Sequence, residues 1–374
     1  MATVIKYLGS KRRLVPVLAD LATAADARTA LDLFTGTTRV AQAFKSRGLH
    51  VTAADLADYS AVLAQCFVAT DARAVDAEEL HEILRRLNQL PDVDGYVTET
   101  FCRRSRFFQE FNGRRIDAIR AGIEPYRDTS WYPLLLTSLL LAADRVDSTT
   151  GVQMAYLKQW AQRSFRPLEL TAPALLPGAG VAHRGDASDI AARCDPVDLA
   201  YVDPPYNQHR YESNYHIWNT LVRADEPAHY GVACKRVDLR EPADRSPFNS
   251  RRTFGSALAH LLTTVRARTV VVSYNDESWV TSADIGSFLH AAGHDCVGLI
   301  SFDSARYVGA RIGIHSTDGT KVGAVGRLRN REWLVVAGER VTVDRLLAVG
   351  RQHGGESRIM RHESDELATS RASE

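Results

Sequence analysis

Four short apolar runs are separated by stretches in which apolar residues recur at helical spacing. The runs are "TALDLF" (29–34), "HVTAAD" (50–55), "DLAYV" (198–202) and "RTVVVSY" (268–274). Each run is rich in aliphatic residues and bounded by turn or cap residues, which is typical of strands buried on both faces of a parallel sheet. Strands that alternate with helices predict a doubly wound, mostly parallel α/β sheet.

The pattern changes toward the end of the chain. The segments "KVGAVGRL" (321–328) and "REWLVVAG" (331–338) are joined by "RNRE" and predict a closing antiparallel hairpin. Such an edge is common on an otherwise parallel sheet. The polar residues 346–374 lack periodicity, so we expect a mobile tail there.

The strand signal disappears between residues 71 and 170. Ile116, Ile119 and Ile123 in this span recur at helical spacing. We therefore predict a helical insertion over residues 71–170, within a discontinuous α/β domain made of residues 1–70 and 171–345.

Composition excludes several classes of protein. The chain has 374 residues, of which 45% are hydrophobic and 24% charged, as in an ordinary globular protein. It contains no run of eighteen apolar residues, so no membrane span is predicted. The start "MATVIKYLGSKRR" lacks the apolar core of a secretory signal, so we expect a cytoplasmic protein. The five cysteines form no C-x-x-C pair and indicate neither a disulfide framework nor a metal site. A net charge of +1 does not decide whether the partner is a nucleic acid.

The turn after the first strand is the first candidate site. Residues 34–38 (Phe-Thr-Gly-Thr-Thr) place Gly36 and exposed backbone N–H groups at the carboxyl edge of the sheet, where open α/β folds bind ligands. Asp55 follows Gly36 by 19 positions, the spacing of an acid that binds ribose hydroxyls. Because G-x-G-x-x-G is absent, a nucleoside without phosphates fits better than a pyrophosphate. A plain strand-turn-helix unit with an incidental aspartate is the alternative.

The second candidate site is Asp203-Pro204-Pro205-Tyr206, which directly follows an apolar strand. The prolines fix the backbone, so the carboxylate of Asp203 and the carbonyl of Pro204 form a rigid pair of acceptors. This pair could bind both hydrogens of an exocyclic amine on a flat base, and Tyr206 could stack on that base. A tight turn with an acidic cap is the structural alternative.

These residues resemble those of the Dam-like (alpha-class) adenine-specific DNA methyltransferases. The D-P-P-Y segment matches the catalytic motif of that family, and "KYLGSKRRL" (6–14) is similar to the segment that this class carries ahead of its cofactor turn. The helical insertion lies where the class keeps its target-recognition domain. The resemblance covers roughly residues 4–340 and implies a Rossmann-like methyltransferase fold that uses S-adenosylmethionine.

The resemblance also implies roles for single residues. Asp203, Pro204, Pro205 and Tyr206 would hold a flipped adenine. Where many members of the family have a further glycine in the turn, this chain has Thr37-Thr38, which leaves open the path of the amino-acid part of the cofactor. Lys11 could serve the cofactor or the target base, or be a solvated lysine. The residues expected at the cofactor are Tyr7, Lys11, Asp32, Phe34, Gly36, Thr37, Thr38, Asp55, Asp186 and Ala187.

Two basic groups are candidates for DNA contact, because lysine and arginine neutralise phosphates. In the first group, arginines alternate with phenylalanines that we expect to lie in the core; a solvated charged face is the alternative. The second group lies in the long segment after the catalytic strand. The two groups are Arg103, Arg104, Arg106, Arg114 and Arg115, and Lys235, Arg236, Arg251 and Arg252.

We therefore predict an enzyme that methylates the 6-amino group of adenine in double-stranded DNA, without a metal and without a membrane partner. The alternatives are the same chemistry on RNA or on another base, and a non-catalytic DNA-binding subunit of a defence system. Partner proteins of a restriction or defence system, and a monomeric or dimeric state, are also compatible with the sequence.

Overall fold

The computed structural model describes the chain in several stretches that together form two compact units. The first unit comprises Met1–Ala19, Arg28–Ile190 and His209–Ser246, and the second comprises Asp20–Ala27, Ala191–Gln208 and Pro247–Glu374. The described residues are 5–7, 9, 11–205, 211–240, 246–276, 278–305 and 329–360.

The first unit contains three parallel strands that follow one another in chain order. β1 (Thr29–Asp32) pairs with β2 (His50–Asp55), and β2 pairs with β3 (Val181–Arg184). Helix α2 (Arg39–Ser46) connects the first two strands and buries Val40, Ala43 and Phe44. Helix α3 (Asp58–Ala64) also belongs to this part, whereas α1 (Val15–Ala24) and α7 (Ala187–Arg193) each have residues in both units.

Residues 71–170, all of which the structure describes, are helical and irregular and contain no strand. Their α-helices are α4 (Ala77–Asn88), α5 (Glu110–Ile123) and α6 (Tyr132–Val146). In α5 the three isoleucines at helical spacing are fully buried. Shorter turns lie at Gln65–Ala69 and Thr98–Arg103 (π-helix) and at Ala72–Ala74, Glu124–Tyr126 and Gln162–Phe165 (3₁₀).

The first unit continues with α8 (Tyr211–Asn214) and α9 (His216–Arg223), then with a small antiparallel hairpin. The hairpin consists of β5 (His229–Tyr230) and β6 (Lys235–Arg236) and is followed by a 3₁₀ turn at Val237–Arg240.

The second unit joins parallel and antiparallel strands. β4 (Val197–Val202) pairs in parallel with β7 (Ala267–Asn275), whose other edge pairs with antiparallel β9 (Arg329–Gly338). Strand β8 (Cys296–Ala305) lies between β9 and β10 (Glu356–Met360) and is antiparallel to both. The helices are α10 (Phe254–Thr264), α11 (Ser282–Ala291) and α12 (Arg340–Gln352), with a 3₁₀ turn at Pro247–Asn249. The predicted α/β class is confirmed.

The closing strands differ in detail from the prediction. The antiparallel edge is present, but the partner of the "REWLVVAG" strand is β8, and "RNRE" (329–332) belongs to β9 instead of forming a turn. The predicted strand "KVGAVGRL" (321–328) lies outside the described residues. The expected mobile tail is replaced over 346–360 by the end of α12 and by β10, because Leu346 and Leu347 are buried and β10 pairs with β8. Residues 361–374 lie outside the described part.

The boundaries of the two units also differ from the predicted domains. The helices of residues 71–170 share one continuous apolar core with α3, α9 and the hairpin, which includes Leu63, Phe101, Leu139 and Trp218. Phe107 and Phe108 are buried in the same core, as expected, while Phe111 is largely exposed. None of the described helices is long and apolar enough to cross a membrane.

A buried histidine ties α9 to the loop that follows α6. The Nε2 atom of His216 lies 3.1 Å from the carbonyl oxygen of Gln153, so Nε2 carries the hydrogen and donates. The side-chain oxygen of Gln153 accepts from the backbone N–H of Ile217 at 2.8 Å, and the backbone N–H of Gln153 donates to the carbonyl of Asn214 at 2.7 Å. Because His216 is fully buried, desolvation lowers its pKa to about 3.

This histidine predicts a loss of stability in acid. The unfolded chain takes up a proton on His216 near pH 6.5, whereas the folded chain does not until about pH 3, so stability falls as the pH falls below 6.5. We compare urea unfolding of the wild type and His216→Gln at pH 7.5 and 5.5. The difference in the free energy of unfolding between the wild type and the variant should be about 1.4 kcal/mol smaller at pH 5.5 than at pH 7.5.

The comparison with the variant removes the effect of other titrating groups, such as Asp144, whose pKa burial raises to about 6. A stability difference that is equal at both pH values would contradict a neutral, buried His216.

Candidate functional site

The turn after β1 is fixed by backbone bonds and by a carboxylate from β2. Gly36 adopts φ +51°, and the N–H of Thr38 donates to the carbonyl of Thr35 at 2.7 Å, which closes the turn. The Oδ2 atom of Asp55 accepts from the N–H of Gly36 at 2.8 Å. The N–H of Thr35 donates to the carbonyl of Ala54 at 3.0 Å. Gly36 and Asp55, separated by 19 positions, are thus direct neighbours.

Asp55 links the carboxyl ends of the three parallel strands of the first unit. Its Oδ1 atom accepts from the N–H of Ala57 at 3.0 Å, and its backbone carbonyl accepts from the N–H of Gly185, which follows β3. Burial raises the pKa of Asp55, while the backbone N–H groups of Ala57 and Gly36 oppose that rise. The backbone N–H of Leu56 and the side chain of Ser60 also lie close to the carboxylate and oppose the rise in its pKa.

Asp186 lies beyond β3, on the same strand edge as Asp55 and the Gly36 turn. Its Oδ1 atom accepts from the N–H of Ser188 at 2.8 Å and so caps the first turn of α7. Ala187 is buried at the start of the helix. Three predicted cofactor positions therefore follow three adjacent parallel strands, as expected at the binding edge of an α/β sheet.

Tyr7 covers the turn from outside the sheet. A Cβ atom added to Gly36 would lie 3.1 Å from Cε1 of Tyr7, tighter than an ordinary contact. The ring of Tyr7 stacks on Tyr215 with centroids 4.8 Å apart and on Tyr211 at 5.2 Å. Burial raises the pKa of Tyr7 well above its ordinary value. Sequence reasoning missed Tyr211 and Tyr215, because their link to Tyr7 spans more than 200 residues and no local pattern reports it.

The remaining predicted residues of the turn are mostly inaccessible. Asp32 is almost fully buried and accepts from the hydroxyl of Thr35 at 2.9 Å, and Phe34 is half-buried. Thr37 and Thr38 are buried. Thr38 adopts φ +62°, a conformation that costs a β-branched residue energy and that glycine adopts freely. Its hydroxyl donates to the carbonyl of Thr37 at 2.6 Å and accepts from Gln42 at 2.8 Å, which holds the residue in place.

Lys11 is not a solvated lysine, since only 8% of the residue is exposed. Its carbonyl accepts from the N–H groups of Leu14 and Val15 at 2.8 and 2.9 Å, at the start of α1. The alternative that Lys11 is an ordinary surface lysine is therefore wrong. A role of Lys11 at the cofactor or at the target base stays a prediction.

The D-P-P-Y motif begins directly at the end of β4 in the second unit. Val202, the last residue of the strand, is opposite Val272 of β7. Asp203 and Pro205 are half-buried and Pro204 is buried. The two prolines end the strand and remove two donors, as the sequence predicts. Tyr206 lies outside the described residues.

The first basic group is largely engaged within the protein. Three of its guanidinium groups form ion pairs with carboxylates. The Nη2 atom of Arg103 lies 2.6 Å from Oε1 of Glu110. The Nε atoms of Arg104 and Arg114 lie 3.0 Å from Oε1 of Glu99 and 2.6 Å from Oδ1 of Asp94. Arg115 is only 16% exposed in its side chain and donates to backbone carbonyls, including that of Asn88 at 2.6 Å. Arg106 donates to the carbonyl of Lys158 and stacks on Trp160.

The second basic group is split. The side chain of Arg236 is 3% exposed, and its guanidinium contacts the carboxylates of Asp225 at 2.5 Å and Asp238 at 2.6 Å. Arg236 therefore forms ion pairs within the protein and is not accessible to neutralise a phosphate. Lys235 is half-buried, and Arg251 and Arg252 are exposed in the turn before α10.

No cluster of three or more His, Cys, Asp or Glu side chains among the described residues could hold a metal ion.

Comparison with known proteins finds methyltransferases that are similar to this chain. The chain is 32% identical over 266 residues to the type II methyltransferase M.NlaIII of Neisseria lactamica, covering 68% of this chain and 77% of that protein. It is 30% identical over 274 residues to the type II methyltransferase M.CviAII of Paramecium bursaria Chlorella virus 1, covering 70% and 79%.

A third relative, the modification methylase StsI of Streptococcus sanguinis, is 26% identical over 304 residues; the match covers 76% of this chain but 46% of that longer protein. The family model described as D12 class N6 adenine-specific DNA methyltransferase matches residues 7–246, which contain the Tyr7 segment, the Gly36 turn, Asp55 and Asp203. The chain belongs to the D12 class of N6 adenine-specific DNA methyltransferases.

Proposed function

We propose that this chain transfers a methyl group from S-adenosylmethionine to the 6-amino group of an adenine turned out of double-stranded DNA. The observation that carries the proposal is the Gly36 turn, bonded to Asp55 and covered by Tyr7, within a chain of an adenine methyltransferase family. D-P-P-Y at the end of β4 supplies the acceptors for the amine.

The residues around the turn suit the nucleoside part of the cofactor. Gly36 has no room for a side chain beside Tyr7, so a glycine is the residue that lets Tyr7 pack directly on the turn. Asp55 offers lone pairs to ribose hydroxyls, and Asp186 follows the adjacent strand, within the same edge, for the adenine ring. When bound, S-adenosylmethionine supplies an electrophilic methyl group on a sulfonium sulfur.

Asp203 and Pro204 are proposed to activate the amine of the target. The lone pair of an adenine amine is delocalised into the ring, so the amine is a weak nucleophile. A carboxylate and a carbonyl that accept its two hydrogens favour a more tetrahedral nitrogen, with the lone pair directed at the methyl group. Asp203 and Pro204 would hold the amine for methylation; the methyl group that the sulfonium supplies would pass to the nitrogen, the sulfur would be left as a neutral thioether, and the amine would release one proton to solvent. Tyr206 is proposed to stack on the base, which helps to offset the cost of extruding it.

We further propose that the enzyme is the modification partner of a restriction system, in the cytoplasm and as a monomer or dimer. The names of its relatives, two type II methyltransferases and a modification methylase, support this role. Long-read sequencing of DNA from cells that express the chain tests the proposed reaction directly. N6-methyladenine at a defined sequence is the expected result, and a methylated cytosine would contradict the proposal.

Replacing Asp203 tests the activation of the amine. We expect Asp203→Ala to lower the rate of methyl transfer to DNA by about 100-fold or more, because one of two prearranged acceptors is lost. Its affinity for S-adenosylmethionine, measured by calorimetric titration, should stay close to that of the wild type. Turnover like that of the wild type would rule out the proposed role of Asp203.

Asp55→Ala is expected to act mainly on cofactor affinity, in contrast to Asp203→Ala, which should act mainly on the rate of methyl transfer. The carboxylate binds the N–H of Gly36 and is proposed to bind ribose, so its loss should weaken cofactor binding by about tenfold or more. The same titration measures this affinity. An unchanged affinity would refute the assignment of Asp55 to the cofactor.

Gly36→Ala tests the close fit of the turn. The new Cβ would meet Tyr7 at 3.1 Å in a backbone conformation of φ +51°, so we expect cofactor affinity to fall by about tenfold. Gly48→Ala is the matched control. Gly48 also has a positive φ, +84°, but no atom lies within 4 Å of its added Cβ.

The control variant should lose stability by about 1 kcal/mol from backbone strain and keep its cofactor affinity. Equal cofactor affinities of the two alanine variants would show that the contact with Tyr7 does not matter for binding.

A further inference from the structure

The β5–β6 hairpin presents an exposed apolar residue on a rigid turn. The N–H of Cys234 donates to the carbonyl of Gly231 at 3.0 Å, which closes a four-residue turn. The N–H of Val237 donates to the carbonyl of Ala228 at 2.9 Å and holds the base of the hairpin together. Val232, at the tip, is 76% exposed, the largest exposed fraction among the described large hydrophobic residues.

One face of the hairpin is anchored in the first unit. His229 and Arg236 are opposite each other and share this face. The ring of His229 packs edge-on against Tyr96, whose hydroxyl donates to the carbonyl of Pro227 at 2.7 Å. Arg236 is held by its two aspartates, and Ala233 and Cys234 are buried in the apolar core. The position of Val232 is therefore fixed by the surrounding structure.

The other face is basic and aromatic. Tyr230 and Lys235 are opposite each other and point away from the anchored face, because side chains alternate along a strand. The guanidinium of the exposed Arg240 lies over the ring of Tyr230, 3.8 Å from its centroid. Within the described part of the chain, no ion pair with a carboxylate engages Lys235 or Arg240. This face can therefore offer two positive charges to an anionic partner.

We propose that the β5–β6 hairpin contacts the DNA duplex, with Val232 as an apolar wedge against the bases and Lys235 and Arg240 on neighbouring phosphates. The proposal rests on the DNA substrate proposed above. An exposed apolar tip beside a basic face matches a duplex, whose stacked bases are apolar and whose backbone is anionic. A protein partner would leave the two cations without matching charges unless its surface were acidic.

The location of the hairpin within the first unit supports the same partner. Burial raises the pKa of the Cys234 thiol, and the neighbouring Ser105 and Arg104 oppose that rise. The hairpin is therefore next to the first predicted basic group. The hairpin, which carries Lys235 and Arg236 of the second predicted group, thus lies near Arg104 of the first, although most of the arginines in the first group have internal partners.

Binding of the full chain to a mixed-sequence DNA duplex tests the proposal. Fluorescence anisotropy is measured between about 50 and 200 mM salt, where phosphate contacts change affinity strongly. The variants are Val232→Ala, Val232→Thr, Lys235→Ala and Arg240→Ala. Val341→Ala is the matched control, because Val341 is a valine with a similar exposed fraction, 71%, in the second unit.

We expect the two charge variants each to reduce the slope of log affinity against log salt by about one. Val232→Ala should weaken binding by about tenfold without changing the slope, since two apolar carbons are lost. Val232→Thr, which keeps the shape of the side chain, should weaken it less. Val341→Ala should bind like the wild type, and all variants should keep their affinity for S-adenosylmethionine.

Different failures have different meanings. If the wild type methylates DNA but Val232→Ala binds as tightly as Val341→Ala, the wedge is refuted. If both charge variants keep the wild-type salt slope, the phosphate contacts are refuted. If the wild type methylates RNA or another molecule instead of DNA, the proposed function fails, whatever the hairpin does.

Discussion

The hydrogen bond from the N–H of Gly36 to the carboxylate of Asp55 is the interaction on which the candidate site depends. It joins the turn after β1 to the end of β2, while the backbone of Asp55 also binds Gly185 beyond β3. One residue thus sets the relative position of three strand ends. Because the carboxylate is buried, its pKa is raised, and it remains a good acceptor only where backbone N–H groups compensate for the lost water.

The parts of the fold that the sequence predicts well are those with a strong local pattern. β2 has the predicted bounds, and β1, β4 and β7 differ from the predictions by one or two residues, because runs of aliphatic residues leave few alternatives. β3 was missed, since "VAHR" has no apolar run and its residues are half-buried or exposed. Its pairing with β2 forms the strand. Likewise, "RNRE" contains turn-forming residues but extends β9, since Asn330 and Arg331 pair with β8. Long-range pairing overrode local preference in both cases.

The candidate site follows the same rule. Motifs in the sequence identify Gly36, Asp55 and Asp203, because spacing from a strand end is a local signal. The tyrosine stack on Tyr7 joins positions 7, 211 and 215, and no pattern within the chain reports such a contact. Arginines raise a further difficulty. A sequence shows how many arginines are present but not which of them are paired. Arg236 and Arg103 form ion pairs with neighbouring carboxylates, so fewer positive charges are available to a substrate than the sequence contains.

Thr38 shows how the turn is prepared before any ligand arrives. Its left-handed backbone is costly for threonine, and two hydrogen bonds of its hydroxyl keep it there. The turn is already ordered in the folded protein. Binding of a ligand therefore does not have to order this segment, and the loss of conformational entropy on binding is smaller. A glycine at this position would lower the strain and also loosen the free loop. The threonine therefore lowers folding stability and keeps the turn ordered, so the affinity of the proposed cofactor site depends on the stability of the whole protein.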